Sequence, residues 1–350
     1  MGVVQTAVLG ITGYAGAELA RLLVRHPRLK GKTPIFAGRV EDKDGIPLGE
    51  MHPQLIDSHG TGSLRVQPFR WELLEDLGVD VLFLATPHEL SREAVPEARK
   101  RGIRVIDLSG AWRLEEASNR AVYHFENEGS ATALAMQAEA VYGMPELHRE
   151  KIRGASLVAN PGCYATSVIL ALKPLLAAGL VDAEHGIIAD SKSGVSGAGK
   201  APTAKTHFMY AADNLSAYGV FSHRHTGELL EQLGLEAGGI TFTPHLLPIP
   251  RGILSTIYVR FKEKQTQAVI EACYTEFYKS SPMVRFYGST LPQIQHSVRT
   301  NYSDIGVHVA ADGRRAIIVS CLDNLLKGAA GQAVQNLNVM MGWGEAEGLE

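Results

Sequence analysis

The sequence predicts an α/β protein in which an amino-terminal, doubly wound parallel sheet is followed by a second, α+β domain. Two observations carry this. Strand-like apolar runs alternate with helix-like segments through the first third of the chain, which is the signature of a parallel sheet with crossover helices. After Cys163 the strand-like runs continue but are joined by longer connections, and the alternation is lost. The 350 residues are enough for about two domains. The expected partition is 1–155 with 325–350 for the first domain and 156–324 for the second.

The elements follow in order. Val3 to Leu9 is apolar and β-prone, Gly16 to Arg25 is helical, and Thr33 to Ala37 is a second strand. Val79 to Ala85 (VDVLFLA) is a continuous apolar run of the kind shown by a strand buried on both faces. Ser91 to Lys100 reads as a helix and Ile103 to Leu108 as another buried strand. In the second half, strands are expected at Gly186–Ser191, Ile240–Pro244, Ser255–Lys262 and Ala316–Cys321, with helices at Gly227–Leu233 and Gln265–Lys279. The tail from Gly328 to Met341 has helical periodicity and is expected to pack back on the first domain.

The turn between the first strand and the first helix reads Gly10-Ile11-Thr12-Gly13-Tyr14-Ala15-Gly16. Glycines there let the backbone approach a pyrophosphate, whose charge then rests on the helix N-terminus. The context makes the first domain Rossmann-type and assigns Gly10, Thr12, Gly13, Tyr14 and Gly16 to a dinucleotide. The second strand ends at Gly38-Arg39, with Arg39 lying 23 residues beyond Gly16. An acidic residue at that distance would bind a ribose 2′-hydroxyl; a guanidinium suits a 2′-phosphate, so NADP(H) is the expected cofactor.

Asn160-Pro161-Gly162-Cys163-Tyr164-Ala165-Thr166 places a lone cysteine at the first turn of an apolar helix that ends at Gly179. Asn160 is the expected cap and Pro161 suits the helix entry. The positive end of the helix favours thiolate, the nucleophilic form, so Cys163 is the candidate nucleophile. A thiolate working with a nicotinamide suggests interconversion of thiohemiacetal and thioester by hydride transfer. The acid/base is expected in Ser222-His223-Arg224-His225-Thr226, where either His223 or His225 serves; spacing does not choose between them. Arg224 between the rings, and the lack of a nearby acidic cluster, argue against a metal pair, and no metal is expected. Arg113, just past a buried strand, suits phosphate, and Arg251 in the proline-flanked Pro248–Gly252 loop suits a carboxylate. A second glycine-rich loop, Gly194–Lys200, lacks a nucleoside-triphosphate pattern and is expected to pass close to the nucleophile or cofactor.

Composition narrows the partners. The net charge is −3 and no Lys/Arg run stands out, which argues against nucleic acid and anionic membranes. One uncharged window, Ala155 to Leu172, is broken by Asn160, Pro161 and Gly162, so no membrane span is expected. The start, MGVVQTA, lacks the basic region of a signal peptide. Three cysteines far apart in sequence fit a reducing cytoplasm.

Taken in order, GITGYAG, DLSGAWRL, VYGMPEL, ANPGCYAT, SGVSGAGK, HRHT, HLLPIPRG and DNLLKGAAGQAVQNLN make the chain resemble the N-acetyl-γ-glutamyl-phosphate reductases of the aspartate-semialdehyde dehydrogenase superfamily. The resemblance runs nearly end to end. It implies that Cys163 is the nucleophile, that a free acyl phosphate is reduced to N-acetylglutamate 5-semialdehyde, and that the enzyme is a homodimer or homotetramer. It also implies that Ser196, Gly197 and Asn324 bind cofactor, with Lys327 nearby. Where related enzymes place a histidine just after the PIPRG-like loop this chain has Ile253, so the base comes from elsewhere. Gly38 replaces a usual serine before Arg39, which removes one 2′-phosphate contact. Three alternatives stay open: reduction of an aminoadipyl or glutamyl phosphate held on a carrier protein, a cysteine hydrolase, and an NADP-binding redox sensor.

Overall fold

The computed structural model describes residues 3–57 and 59–350. The chain divides into two compact units. One comprises the residues up to Arg113, Phe125–Pro161 and Ala329–Glu350; the other comprises Leu114–His124 and Gly162–Gly328.

The first unit is built on an eight-stranded sheet. Its strands are β1 (Thr6–Leu9), β2 (Ile35–Gly38), β3 (Ile46–Pro47), β4 (Arg65–Pro68), β5 (Val81–Leu84), β6 (Arg104–Asp107), β7 (Ala140–Tyr142) and β8 (Leu157–Ala159). Their order is β3-β4-β2-β1-β5-β6-β8-β7, and every pairing is parallel except β3 with β4. The chain runs outward from β1 to β2 on one side and to β5 on the other, so the topological switch point lies at the carboxyl end of β1. β1, β2 and β5 are buried along their whole length, as continuous apolar runs require in a sheet covered on both faces. The helix Tyr14–Arg25 turns Leu19, Leu22 and Leu23 into this core.

The carboxyl-terminal helix Gly331–Met340 belongs to the same unit and is buried on every side, although four of its residues are Gln or Asn. Gln332 and Asn336 both donate to the Gly143 carbonyl, at 2.9 and 2.8 Å, and Asn338 meets the buried His26 ring at 2.9 Å. These bonds offset the cost of burying amides.

The second unit holds a seven-stranded mixed sheet: β9 (Ile187–Gly194), β10 (Ser216–Ala217), β11 (Ile240–Leu247), β12 (Ile253–Arg260), β13 (Val284–Phe286), β14 (Ser303–Val309) and β15 (Arg315–Leu322), ordered β10-β11-β9-β12-β15-β14-β13. The long strands alternate, β11 and β12 burying every second residue. Against the buried face lies the helix Cys163–Ala177, whose Ser167 hydroxyl is hydrogen-bonded with those of Ser255 and Ser320 at 2.9 and 3.1 Å. Pro174 sits inside this helix and has no N–H for the Leu170 carbonyl; the Tyr278 hydroxyl donates to that oxygen instead, at 2.5 Å.

The predicted strands and helices are all present, with ends displaced by one to three residues, some longer and some shorter than expected. The short strands β3, β4, β7, β8, β10 and β13, and the longer β14, lie outside the expected set. The expected capping of the cysteine helix by Asn160 is corrected. The cap is Gly162, and Asn160 is buried in the first unit, donating to the Ala329 carbonyl at 3.1 Å and accepting from Asn336 at 2.9 Å.

Candidate active site

The sequence expectations fall on both units. In the first, Gly10 follows β1 with φ +95, and a Cβ there would overlap the Ala85 carbonyl at the end of β5. A Cβ on Gly16 would lie 2.7 Å from the Ile11 Cα, so helix and turn close only over glycine. Gly13 caps the helix Tyr14–Arg25, which has no acidic residue in its first turn. A tight glycine turn, a helix start without a carboxylate, and a switch point together fit a dinucleotide pyrophosphate. Arg39 is exposed, directly after β2. Arg113 is buried at the carboxyl end of β6, its Nε donating to the Asn160 carbonyl at 2.7 Å and its Nη2 to the Leu108 carbonyl at 2.8 Å.

In the second unit Cys163 is the first residue of its helix. It lines a pocket of about 220 Å³ with Gly197, His223 and His225, so four of the expected site residues meet there. Tyr164, Ser193, Tyr218, Lys205 and Arg224 also line it. A Cβ on Gly328 would come 2.7 Å from the Cys163 Cβ, so the backbone leaving β15 packs directly on the nucleophile candidate.

Two helix starts meet beside the thiol. His225 is the cap residue of the helix Thr226–Leu233, and its imidazole fills the space that a Cβ on Gly162 would need. Glu228, in the first turn of that helix and fully buried, accepts the Gly162 N–H at 2.9 Å. From the first turn of its own helix the Glu228 side chain thus satisfies a backbone donor just before Cys163. The spacing of His225 and Glu228, three residues apart at a helix start, puts them on one face and was readable in HRHTGE.

His223 differs from His225. Its ring lies edge-on to Tyr164, Tyr218 and Phe242, with centroids 5.4–5.6 Å away, and 4.7 Å from the His225 ring. Its Nδ1 accepts the His225 N–H at 3.1 Å, so its single proton sits on Nε2. Burial first, then the Arg224 charge, pull its pKa down to about 4, which leaves it neutral at pH 7. Burial raises the Tyr218 hydroxyl to about 12 and Tyr164 higher still, so both phenols stay protonated.

Ser196 and Asn324 adjoin the pocket. Asn324 donates to the Ser196 hydroxyl at 2.9 Å and accepts the Gly252 N–H at 2.8 Å, tying the second glycine loop to the proline-flanked loop. Arg251 is held in that network, with Nε and Nη2 3.3 and 3.0 Å from the buried Asp323 carboxylate. Lys327 is fully buried.

A glycine turn on a doubly wound sheet, and a pocketed cysteine at a helix start in a mixed-sheet unit, fit the class of two-domain dehydrogenases. Residues 5–155 match the model of the semialdehyde dehydrogenase NAD-binding domain, and residues 163–324 that of the semialdehyde dehydrogenase dimerisation domain. Curated relatives named N-acetyl-gamma-glutamyl-phosphate reductase are 41% identical in Methanococcus maripaludis, over 98% of this chain and 97% of the relative. The relative in Desulfotalea psychrophila is 43% identical, over 99% and 98%. Aspartate semialdehyde dehydrogenase II of Vibrio cholerae shares the fold, with a TM-score of 0.71 at 19% identity over 97% of this chain and 98% of that one. The chain belongs to the N-acetyl-gamma-glutamyl-phosphate reductase family of semialdehyde dehydrogenases. It is an oxidoreductase with a nicotinamide dinucleotide cofactor. No helix among the described residues is long and apolar enough to cross a membrane.

Proposed function

We propose that the chain catalyses NADPH-dependent reductive dephosphorylation of N-acetyl-γ-glutamyl phosphate to N-acetylglutamate 5-semialdehyde, as a cytoplasmic step of arginine biosynthesis. The observation that carries this is the pairing of Cys163, at its helix start, with His225 on the preceding peptide, in a chain 41–43% identical to curated reductases of that name. Gly10, Thr12, Gly13, Tyr14 and Gly16 would hold the cofactor's pyrophosphate and Arg39 its 2′-phosphate, with Ser196, Gly197 and Asn324 toward its nicotinamide end. The reduced nicotinamide supplies the hydride.

The chain's own residues do the rest. The Cys163 sulfur bonds to the acyl carbon as the carbon–oxygen bond to phosphate breaks, which leaves a thioester. Arg113 is assigned to the leaving phosphate on the strength of its motif. The first intrahelical bond runs from Thr166 N–H to the Gly162 carbonyl, so the Tyr164 and Ala165 N–H groups precede any intrahelical acceptor and suit a developing oxyanion. After reduction His225 donates a proton to the thiohemiacetal oxygen and takes the same proton back as collapse expels the Cys163 thiolate and releases the aldehyde. We assign that proton to His225 because burial makes His223 a weak base and its Nδ1 already accepts the His225 N–H. Glu228 positions His225 through their shared helix start. The second unit self-associates through the outer face of its sheet, where Ile188, Tyr258 and Ile317 stand side by side in register and exposed.

Phosphate-dependent reduction of NADP⁺ with N-acetylglutamate 5-semialdehyde tests the assignment. Turnover that requires phosphate supports it; a folded, cofactor-binding protein without turnover contradicts it and favours a carrier-linked acyl phosphate.

A further inference from the structure

The thiol pocket is electrostatically one-sided. Among the described residues that line it there is no Asp or Glu, while Lys205 and Arg224 both do. The fully buried Glu228 behind it accepts the Gly162 N–H. The helix Cys163–Ala177 adds its positive end, with no acidic side chain in its first turn. Three sources of positive potential therefore converge on one small cavity, which is more than a single acyl phosphate oxygen needs.

Both cations are placed by local structure. Lys205 is carried on a turn closed by Thr203 and Thr206, whose backbone and hydroxyl groups bond to each other in both directions at 2.9–3.3 Å. Arg224 lies between the two histidines in sequence, and its guanidinium is 5.8 Å from the centre of the Tyr123 ring. Tyr123 belongs to the segment Leu114–His124, which packs on the same unit and is fastened there by Glu231, the acceptor for Glu115 N–H, Glu116 N–H and the Asn119 amide. The arginine thus rests on a braced aromatic surface, an arrangement that limits the conformational freedom lost when it binds an anion.

We infer that Lys205 and Arg224 form the subsite for the substrate's α-carboxylate and so select a free amino-acid derivative over an esterified, amidated or carrier-linked one. This rests on the reaction proposed above, in which the reacting acyl group is bound at Cys163 and a carboxylate lies a few bonds away at the other end of the same small molecule. A pocket lined by two cations and the hydroxyls of Ser193, Ser216 and Tyr218 suits a short, doubly anionic ligand with a polar amide. Neither residue takes part in bond making; both act on binding and discrimination.

The experiment compares N-acetylglutamate 5-semialdehyde with its α-methyl ester in phosphate-dependent NADP⁺ reduction, for the parent, Lys205→Met, Arg224→Met and the double variant. Both positions are exposed, and the readout is a ratio of two substrates on the same protein, so a general loss of activity cancels. The parent is expected to prefer the free acid by about ten- to a hundredfold in kcat/KM, the scale of a charge-assisted hydrogen bond. In the double variant that preference should collapse toward unity, chiefly through a higher KM for the acid, and Arg224→Lys should restore part of it. A preference that survives in the double variant overturns the inference while leaving the reaction intact. A parent that turns over neither compound overturns the reaction itself, and the subsite with it.

Discussion

The imidazole of His225 lies where a side chain on residue 162 would have to be, so Gly162 holds His225 against the peptide that precedes Cys163. The nucleophile candidate and the proposed acid/base are therefore set by a steric relation, with Glu228 on the same peptide's N–H. Gly162→Ala should push the ring away and lower kcat by about ten- to a hundredfold, since misplacement of a catalytic group by an ångström costs on that scale. Steady-state kinetics and circular dichroism on the variant check this; unaltered kcat in a folded protein would show that the ring's seat does not matter.

The two histidines should respond differently to substitution and to pH. His225→Asn is expected to lose about 10²–10⁴ in kcat, the usual contribution of general acid–base catalysis. His223→Asn keeps an acceptor for the His225 N–H and should lose far less. His223 has a folded-state pKa of about 4 against an ordinary 6.5, so the unfolded chain binds its proton first. Its contribution to stability is full above pH 6.5 and is lost as pH falls from there toward 4. Over that window it is worth about 3 kcal/mol, the free-energy equivalent of such a shift. Denaturant midpoints measured between pH 4 and 7 should show this component in the parent and not in His223→Asn.

Much of this was legible in the sequence because the signals are local. A glycine turn between a strand and a helix, continuous apolar runs, and a cysteine at a helix start each depend on a handful of adjacent residues. What was not legible depends on partners far away in the chain. Asn160 reads as a cap but is drawn off by Ala329 and Asn336, more than 160 residues distant. Leu114–His124 reads as part of the first domain but is fastened by Glu231 in the second unit. His223 and His225 are chemically the same residue two positions apart, and only the burial supplied by Tyr164, Tyr218 and Phe242 separates them. Lys205 carries no motif signal of its own, and Arg224 stands in HRHT only as the residue between two histidines; the fold brings both to the thiol pocket.

Pro174 and Tyr278 should be energetically coupled. Tyr278→Phe removes the hydroxyl that donates to the Leu170 carbonyl, and leaving that buried acceptor short of a bond costs about 1–3 kcal/mol. Adding Pro174→Ala restores an intrahelical N–H to that oxygen, so the double variant should be more stable than Tyr278→Phe alone. A double-mutant cycle from urea denaturation checks the coupling; strict additivity would contradict it.

The outer face of the seven-stranded sheet should be an interface between copies of this chain. Ile188, Tyr258 and Ile317 form one row across β9, β12 and β15, each 40–48% exposed. Tyr258→Glu with Ile317→Glu places two charges in that row and should shift the protein to monomer in sedimentation velocity. An unchanged assembly would move the interface elsewhere.

The central claim is that Cys163 carries the acyl group. Mass spectrometry of the protein mixed with N-acetyl-γ-glutamyl phosphate, without reduced cofactor, tests it most directly. The expected result is an acyl adduct confined to the peptide that contains Cys163, discharged when NADPH is added and absent in Cys163→Ser. Turnover by Cys163→Ser at the parent's rate, or an unmodified Cys163 in a protein that reduces the substrate, would contradict it.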